Sequence, residues 1–322
     1  MTWRAAREQL LSAFPGMKAA GDSNAPISMM EYRRRAEIAI RALPPLTAPA
    51  NRMAPSVGRG AHGQRKSGPG DSFWQFRPFV TGDSESAIDW RRSARSDGHY
   101  IRQNEWETTQ NVWLWCDSSA SMRYRSEGVA ETKLDRAITL ALGAAILLAE
   151  GEERIGYLGG PARQGPGTGT GNMAVQRCME AINEAIDLER FGNSPAIPEP
   201  GAMRRFCHVI LFGDFLDSEE VIRRRLSALA ARGVIGHLVH ITDPAEEDFP
   251  FSGRIHFEGM EKETPELVHR AESIRGQYRR RMEAWRETLL ALSRSIGWSY
   301  IHHRTDRPPH LALLGLMNAL EG

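Results

Sequence analysis

The 322-residue sequence predicts an α/β fold: a doubly wound, mostly parallel sheet with helices on both faces, preceded by an irregular N-terminal region. Short apolar runs of strand length, beginning with Val112-Trp113-Leu114-Trp115-Cys116, alternate from residue 111 onward with segments of helical length. Strands joined through such helices pair in parallel by right-handed crossovers, which covers both faces of the sheet. A composition of 41% hydrophobic and 25% charged residues, with eight Trp, suits a chain that buries a substantial core.

Residues 1–57 read as an N-terminal helical and linker segment. Short helices are expected up to about Arg41, after which Pro44, Pro45, Pro49 and Pro55 and the glycines between Gly58 and Gly70 interrupt regular structure. Residues 58–107 form a second region, expected to pack on the main domain. Its clustered Trp, Phe, Arg and Asp obscure any period, and 99–102 can form a short strand. The main domain runs over 108–322. After the strand at 112–116 come a helix over about 132–150, a strand at 154–158, a flexible Gly-rich loop over 159–171 and a helix over 172–188. The alternation continues with strand 208–212, helix 218–232, strand 235–241, helix 265–295, strand 298–302 and helix 309–320.

Lys plus Arg exceed Asp plus Glu by one, so no overall charge favours nucleic acid or an anionic membrane. The triplets Arg33-Arg34-Arg35, Arg223-Arg224-Arg225 and Arg279-Arg280-Arg281 read as solvated faces. Three cysteines, Cys116, Cys178 and Cys207, are an odd number without CxxC spacing. That argues against a disulfide framework or zinc site and for reduced thiols in the cytoplasm. The N-terminus lacks the continuous apolar stretch of a signal peptide, and the apolar run 137–149 is shorter than the roughly 20 residues of a spanning helix. No membrane span is expected.

The first strand of the main domain ends in Asp117-Ser118-Ser119-Ala120-Ser121-Met122. One carboxylate and two hydroxyls on alternate residues are hard oxygen ligands, and Mg2+ prefers such ligands while retaining several waters. Hydroxyls at such a turn also serve as helix N-caps. A later strand ends in Gly213-Asp214-Phe215, and neighbouring parallel strands bring Asp214 to the sheet edge that carries Asp117. Ligand sites of such sheets lie beyond the carboxyl ends of the strands. No GxxxxGK[ST] phosphate loop, GxSxG nucleophile turn or HExxH zinc spacing accompanies them.

Further stretches stand beside this one: Arg77-Pro78-Phe79-Val80-Thr81-Gly82-Asp83, Ile88-Asp89-Trp90-Arg91-Arg92-Ser93-Ala94-Arg95 and Asp243-Pro244-Ala245-Glu246. With them the sequence, from about Gly58 to Leu320, resembles the von Willebrand factor A domain and, more narrowly, the bacterial domain-of-unknown-function 58 family. The resemblance implies a metal-ion-dependent adhesion site. Asp117, Ser119 and Ser121 form its first loop, and Asp214 is a later carboxylate acting directly or through water. It also implies a middle-loop Thr, in whose place only Ser194 stands. The implied cofactor is Mg2+ or another divalent cation, with a partner's carboxylate filling the open position. The implied protein is a non-enzymatic interaction adaptor accompanying a MoxR-type AAA ATPase.

Two other readings stay open. A bound cation could activate water for phosphoester hydrolysis, with Asp214 or Asp217 as a conceivable base. The basic and aromatic residues of 58–95 could bind single-stranded nucleic acid by phosphate contact and stacking. The blander expectation for that region is that Asp83 and Asp89 pair with its arginines while Trp90 packs against the main domain.

Overall fold

The computed structural model describes residues 27–44, 73–79, 89–93, 99–104, 111–159, 167–189, 197–198, 203, 206–257 and 266–321. The chain divides into two compact units, Met1–Met53 with Asn111–Gly322, and Ala54–Gln110. In the smaller unit β1 (Phe73–Pro78) pairs antiparallel with β2 (Tyr100–Asn104), and α2 (Trp90–Ser93) lies between them in sequence. Ser93 ties the turn together, its hydroxyl donating to the Asp89 carbonyl at 2.8 Å and accepting from the Tyr100 N–H at 2.9 Å. Trp90 is 62% exposed, its ring meeting His99 edge-on.

The larger unit is built on five parallel strands, β3 (Asn111–Cys116), β4 (Arg154–Tyr157), β5 (His208–Gly213), β6 (Ile235–Thr242) and β9 (Ser299–Arg304), in the order β4-β3-β5-β6-β9. Around them lie α1 (Met29–Arg41), α3 (Lys133–Glu150), α4 (Gly171–Glu189), α5 (Glu219–Ala230), α7 (Ala271–Ser295) and α8 (Pro309–Glu321). Because successive strand residues point to opposite faces, each strand supplies two cores. Val112, Leu114, Ile210, Phe212, Val239 and Ile241 pack with α1, α3, α4 and α8 on one face. Trp113, Trp115, Val209, Leu211 and Leu238 pack with α5 and α7 on the other.

Helix α1 belongs to the first of these layers. Ser28 caps it, accepting from the Glu31 N–H at 3.2 Å, and Tyr32, Ala36 and Ala39 enter the core. The Tyr32 hydroxyl donates to Asp135 on α3 at 2.5 Å. Helix α7 starts later than the sequence predicts. Residues Glu266–Val268 instead form β8, paired antiparallel with β7 (Ile255–Phe257), and the helix begins at Ala271. No described helix is long and apolar enough to cross a membrane.

The connection out of β3 leads to β4 on one side, whereas β5 lies on the other side of β3. The winding therefore reverses between β3 and β5. A crevice opens at the carboxyl ends of strands at such a reversal, and it is where ligands bind in open α/β sheets. Asp117 and Asp214 directly follow these two strands.

Candidate functional site

The two strand ends are brought close by register and by a glycine. Cys116 faces Phe212 in the β3–β5 ladder, and the Asp117 N–H donates to the Phe212 carbonyl at 2.8 Å. A Cβ on Gly213 would stand 2.9 Å from the Cβ of Asp117, closer than side chains approach. Glycine here is what admits the aspartate against the neighbouring strand.

After β3 the chain turns through a 3-10 segment, Ala120–Arg123. Ser119 stands at its N-cap position without a side-chain capping bond. Its hydroxyl meets that of Ser121 at 3.0 Å, and its N–H donates to Asp117 Oδ1 at 2.9 Å. The Ser121 hydroxyl donates to Asp214 Oδ2 at 2.7 Å. Asp117, Ser119, Ser121 and Asp214 thus form a contiguous group of oxygen atoms from two strand ends, as the sequence predicts. Ser194 lies outside the described residues. Thr168, in the loop after β4, donates to Asn111 Oδ1 at 2.7 Å, at the amino end of β3 and so away from the group.

Two residues that sequence reasoning did not single out complete the cluster. Lys133, the first residue of α3, is fully buried and donates from Nζ to Asp214 Oδ2 at 2.9 Å and to Glu246 Oε1 at 2.5 Å. Glu246 lies in the short α6 (Pro244–Asp248), which follows β6. Asp243 and Glu246 cap each other's backbone there: Glu246 Oε2 accepts from the Asp243 N–H at 2.9 Å, while Asp243 Oδ1 accepts from the Ala245 N–H at 2.8 Å. Asp243 Oδ2 also accepts from the Ser126 N–H at 2.9 Å, tying the loop after the serines to the end of β6. The capping spacing of Asp243-Pro244-Ala245-Glu246 was visible in the sequence; its convergence with Lys133 was not.

Asp214 and Glu246 share this one ammonium, and Asp117 lies close enough to Asp214 to feel its charge. Burial works against charge on Asp214, but Lys133 and the hydrogen bonds from Lys133 and Ser121 hold it below the usual carboxylate range. Glu246 is pushed up to about 7, its burial outweighing the attraction of Lys133. Asp117 is pushed up to about 8 by its dry surroundings and then by the Asp214 charge. Lys133 is held above the usual lysine range: burial opposes its charge, and Asp214 and Glu246 overcome it.

The histidines flanking β6 and β9 are structural. His240 is buried, pairs through Nδ1 with the Tyr300 hydroxyl at 2.7 Å, and is driven down to about 3 by burial. His237 stacks on His208. Arg136 donates to His303 Nε2 at 2.7 Å, so that imidazole is neutral. The three cysteines are buried and free, and burial pushes the Cys207 thiol up to about 11. Among the described residues no group of three His, Cys, Asp or Glu side chains is spaced to hold a metal, so any cation at this edge would depend on the serine hydroxyls.

Uncharacterized proteins from Mycobacterium bovis and Mycobacterium tuberculosis are each 26% identical over 250 residues, covering 74% of this chain and 76% of theirs. The crystal structure of the conserved hypothetical protein BatB from Bacteroides thetaiotaomicron aligns with 65% of this chain and 98% of its own, at 15% identity and a TM-score of 0.35. The family described as "Protein of unknown function DUF58" matches residues 75–288, and the chain belongs to that family.

Proposed function

We propose that this protein is a non-enzymatic interaction adaptor that binds its partner through a divalent cation at the carboxyl end of the sheet, in the manner of a von Willebrand factor A-type adhesion site. The observation that carries the reading is the convergence of Asp117, Ser119, Ser121 and Asp214 at the winding reversal, linked by contacts of 2.7–3.0 Å. Hydroxyl and carboxylate oxygens of this kind suit Mg2+, which keeps waters in its remaining positions. A partner's Asp or Glu would displace one of those waters. Asp117, raised by burial and then by the Asp214 charge, would be stabilised as a carboxylate by a cation. The companion we propose, on the family resemblance of the motifs, is a MoxR-type AAA ATPase, encountered in the cytoplasm, where three unpaired cysteines remain reduced.

Affinity capture from native lysate in Mg2+ and in EDTA tests this. Partners should be retained in Mg2+, released by EDTA, and lost in Asp117→Ala under both conditions. Equal recovery of the same partners in all arms overturns the cation bridge.

A further inference from the structure

We propose that Lys133 is a resident counter-ion that lowers the affinity of this site for divalent cations, an inference that rests on reading Asp117, Ser119, Ser121 and Asp214 as the cation's ligands. The position itself asks why a lysine is there. Its side chain is the largest fully buried one among the described residues, and lysine is almost never buried without a partner. It also occupies the first turn of α3, directly after the Thr132 cap. The helix dipole disfavours positive charge at that end. Neither packing nor helix chemistry accounts for an ammonium here; Asp214 and Glu246 do.

Those contacts place the ammonium in competition with an incoming cation. Asp214 Oδ2 already accepts from both Lys133 Nζ, at 2.9 Å, and Ser121 Oγ, at 2.7 Å. The Ser121 hydroxyl and the Asp214 carboxylate are therefore engaged before any cation arrives. Glu246 holds Lys133 from the far side at 2.5 Å and shares the ammonium with Asp214. A divalent ion approaching the serines and Asp117 meets a fixed positive charge beyond Asp214 in a poorly screened environment. The site keeps its shape without a metal, and cation binding becomes weak enough for a partner's carboxylate to decide it.

The inference makes opposite predictions for two variants of the full chain, read by calorimetric titration with Mn2+ at pH 7.5. Lys133→Met, close in volume to lysine, removes the competing charge and should tighten Mn2+ binding by about ten-fold or more relative to wild type. Glu246→Gln keeps the ammonium but leaves it wholly to Asp214, and should weaken binding by about three-fold or more. If Lys133→Met is unfolded in EDTA, folding on addition of Mn2+, followed by far-ultraviolet circular dichroism, supports the inference. Unchanged or weaker binding in a folded Lys133→Met overturns it, as does unchanged or tighter binding in Glu246→Gln. Asp117→Ala separates the two readings. If wild type and Lys133→Met bind no more Mn2+ than Asp117→Ala, the cation site itself fails. If wild type binds in an Asp117-dependent way and Lys133→Met binds no tighter, only the role of Lys133 falls.

Discussion

Two clusters of charge stand at the carboxyl end of the sheet, and they differ in balance. At β6 and β9, Glu247 accepts from the Thr242 hydroxyl at 2.6 Å and pairs with His302 at 2.7 Å and Arg286 at 3.3 Å. Arg304 reaches Asp248 at 3.2 Å and Asp306 at 2.8 Å. Each carboxylate there has a basic partner, and against the cost of burial Glu247 is drawn down to about 2 by hydrogen bonds from His302 and Thr242. At β3 and β5, Asp214 shares Lys133 with Glu246, and Asp117 stands beside Asp214 outside those ion pairs. The matched cluster ties β6, β9, α6 and α7 together. In the other, one buried ammonium serves two carboxylates, and burial holds Glu246 and Asp117 toward their neutral forms, which a bound cation would reverse.

The largest expected effect separates the two clusters by stability. Asp214→Ala leaves a fully buried ammonium with one partner fewer and should cost about 3 kcal/mol or more in urea denaturation. Glu247→Gln should cost about 1–2 kcal/mol, because Arg286 and Arg304 remain partly solvated. Equal losses would break the distinction. A second substitution acts on shape alone: Gly213→Ala places a methyl group 2.9 Å from the Asp117 Cβ. It should cost about 1–3 kcal/mol by overpacking. Asp117 should also be displaced, and Mn2+ binding in calorimetry should weaken; retained affinity would show that Gly213 does not set the site.

One further effect has the opposite sign. Asp117 is raised from the ordinary 3.8 to about 8, so between those values the folded chain holds a proton that the unfolded chain has released. Its contribution to stability is present at low pH and is lost as pH rises through that window. Asn at position 117 carries no such proton. In EDTA, Asp117→Asn should therefore gain on wild type steadily as pH rises from 5 to 8, read from urea midpoints. A difference that does not change with pH would show that the folded chain does not hold Asp117 above its ordinary range.

Much of this architecture was legible in the residues. Val112–Cys116 and His208–Phe212 announce buried strands because both faces of a covered parallel strand are apolar. Thr132 with Asp135 is a capping pair that starts α3 where the apolar period begins, the Thr132 hydroxyl accepting from the Asp135 N–H at 3.1 Å. The boundary missed, at Ala271, lies where Glu266–Val268 pair with Ile255–Phe257. That pairing is made across the chain, and no local propensity announces it. Helix α1 could be read as helical, but its place in the core depends on Tyr32 reaching Asp135.

The candidate site divides along the same line. By itself the sequence determined the alternate oxygens of Asp117, Ser119 and Ser121, the strand that ends at them, and a second strand ending at Asp214, because these are properties of neighbours along the chain. Only the tertiary structure decided that β3 and β5 are adjacent across the winding reversal and that Gly213 admits Asp117 against its neighbour. It alone brought the first residue of α3 and the capping glutamate of α6 together around Asp214, as an ion pair between Lys133 and Glu246, 113 positions apart. Charge compensation in a buried site is decided by distance in space, and a one-dimensional pattern does not carry that distance.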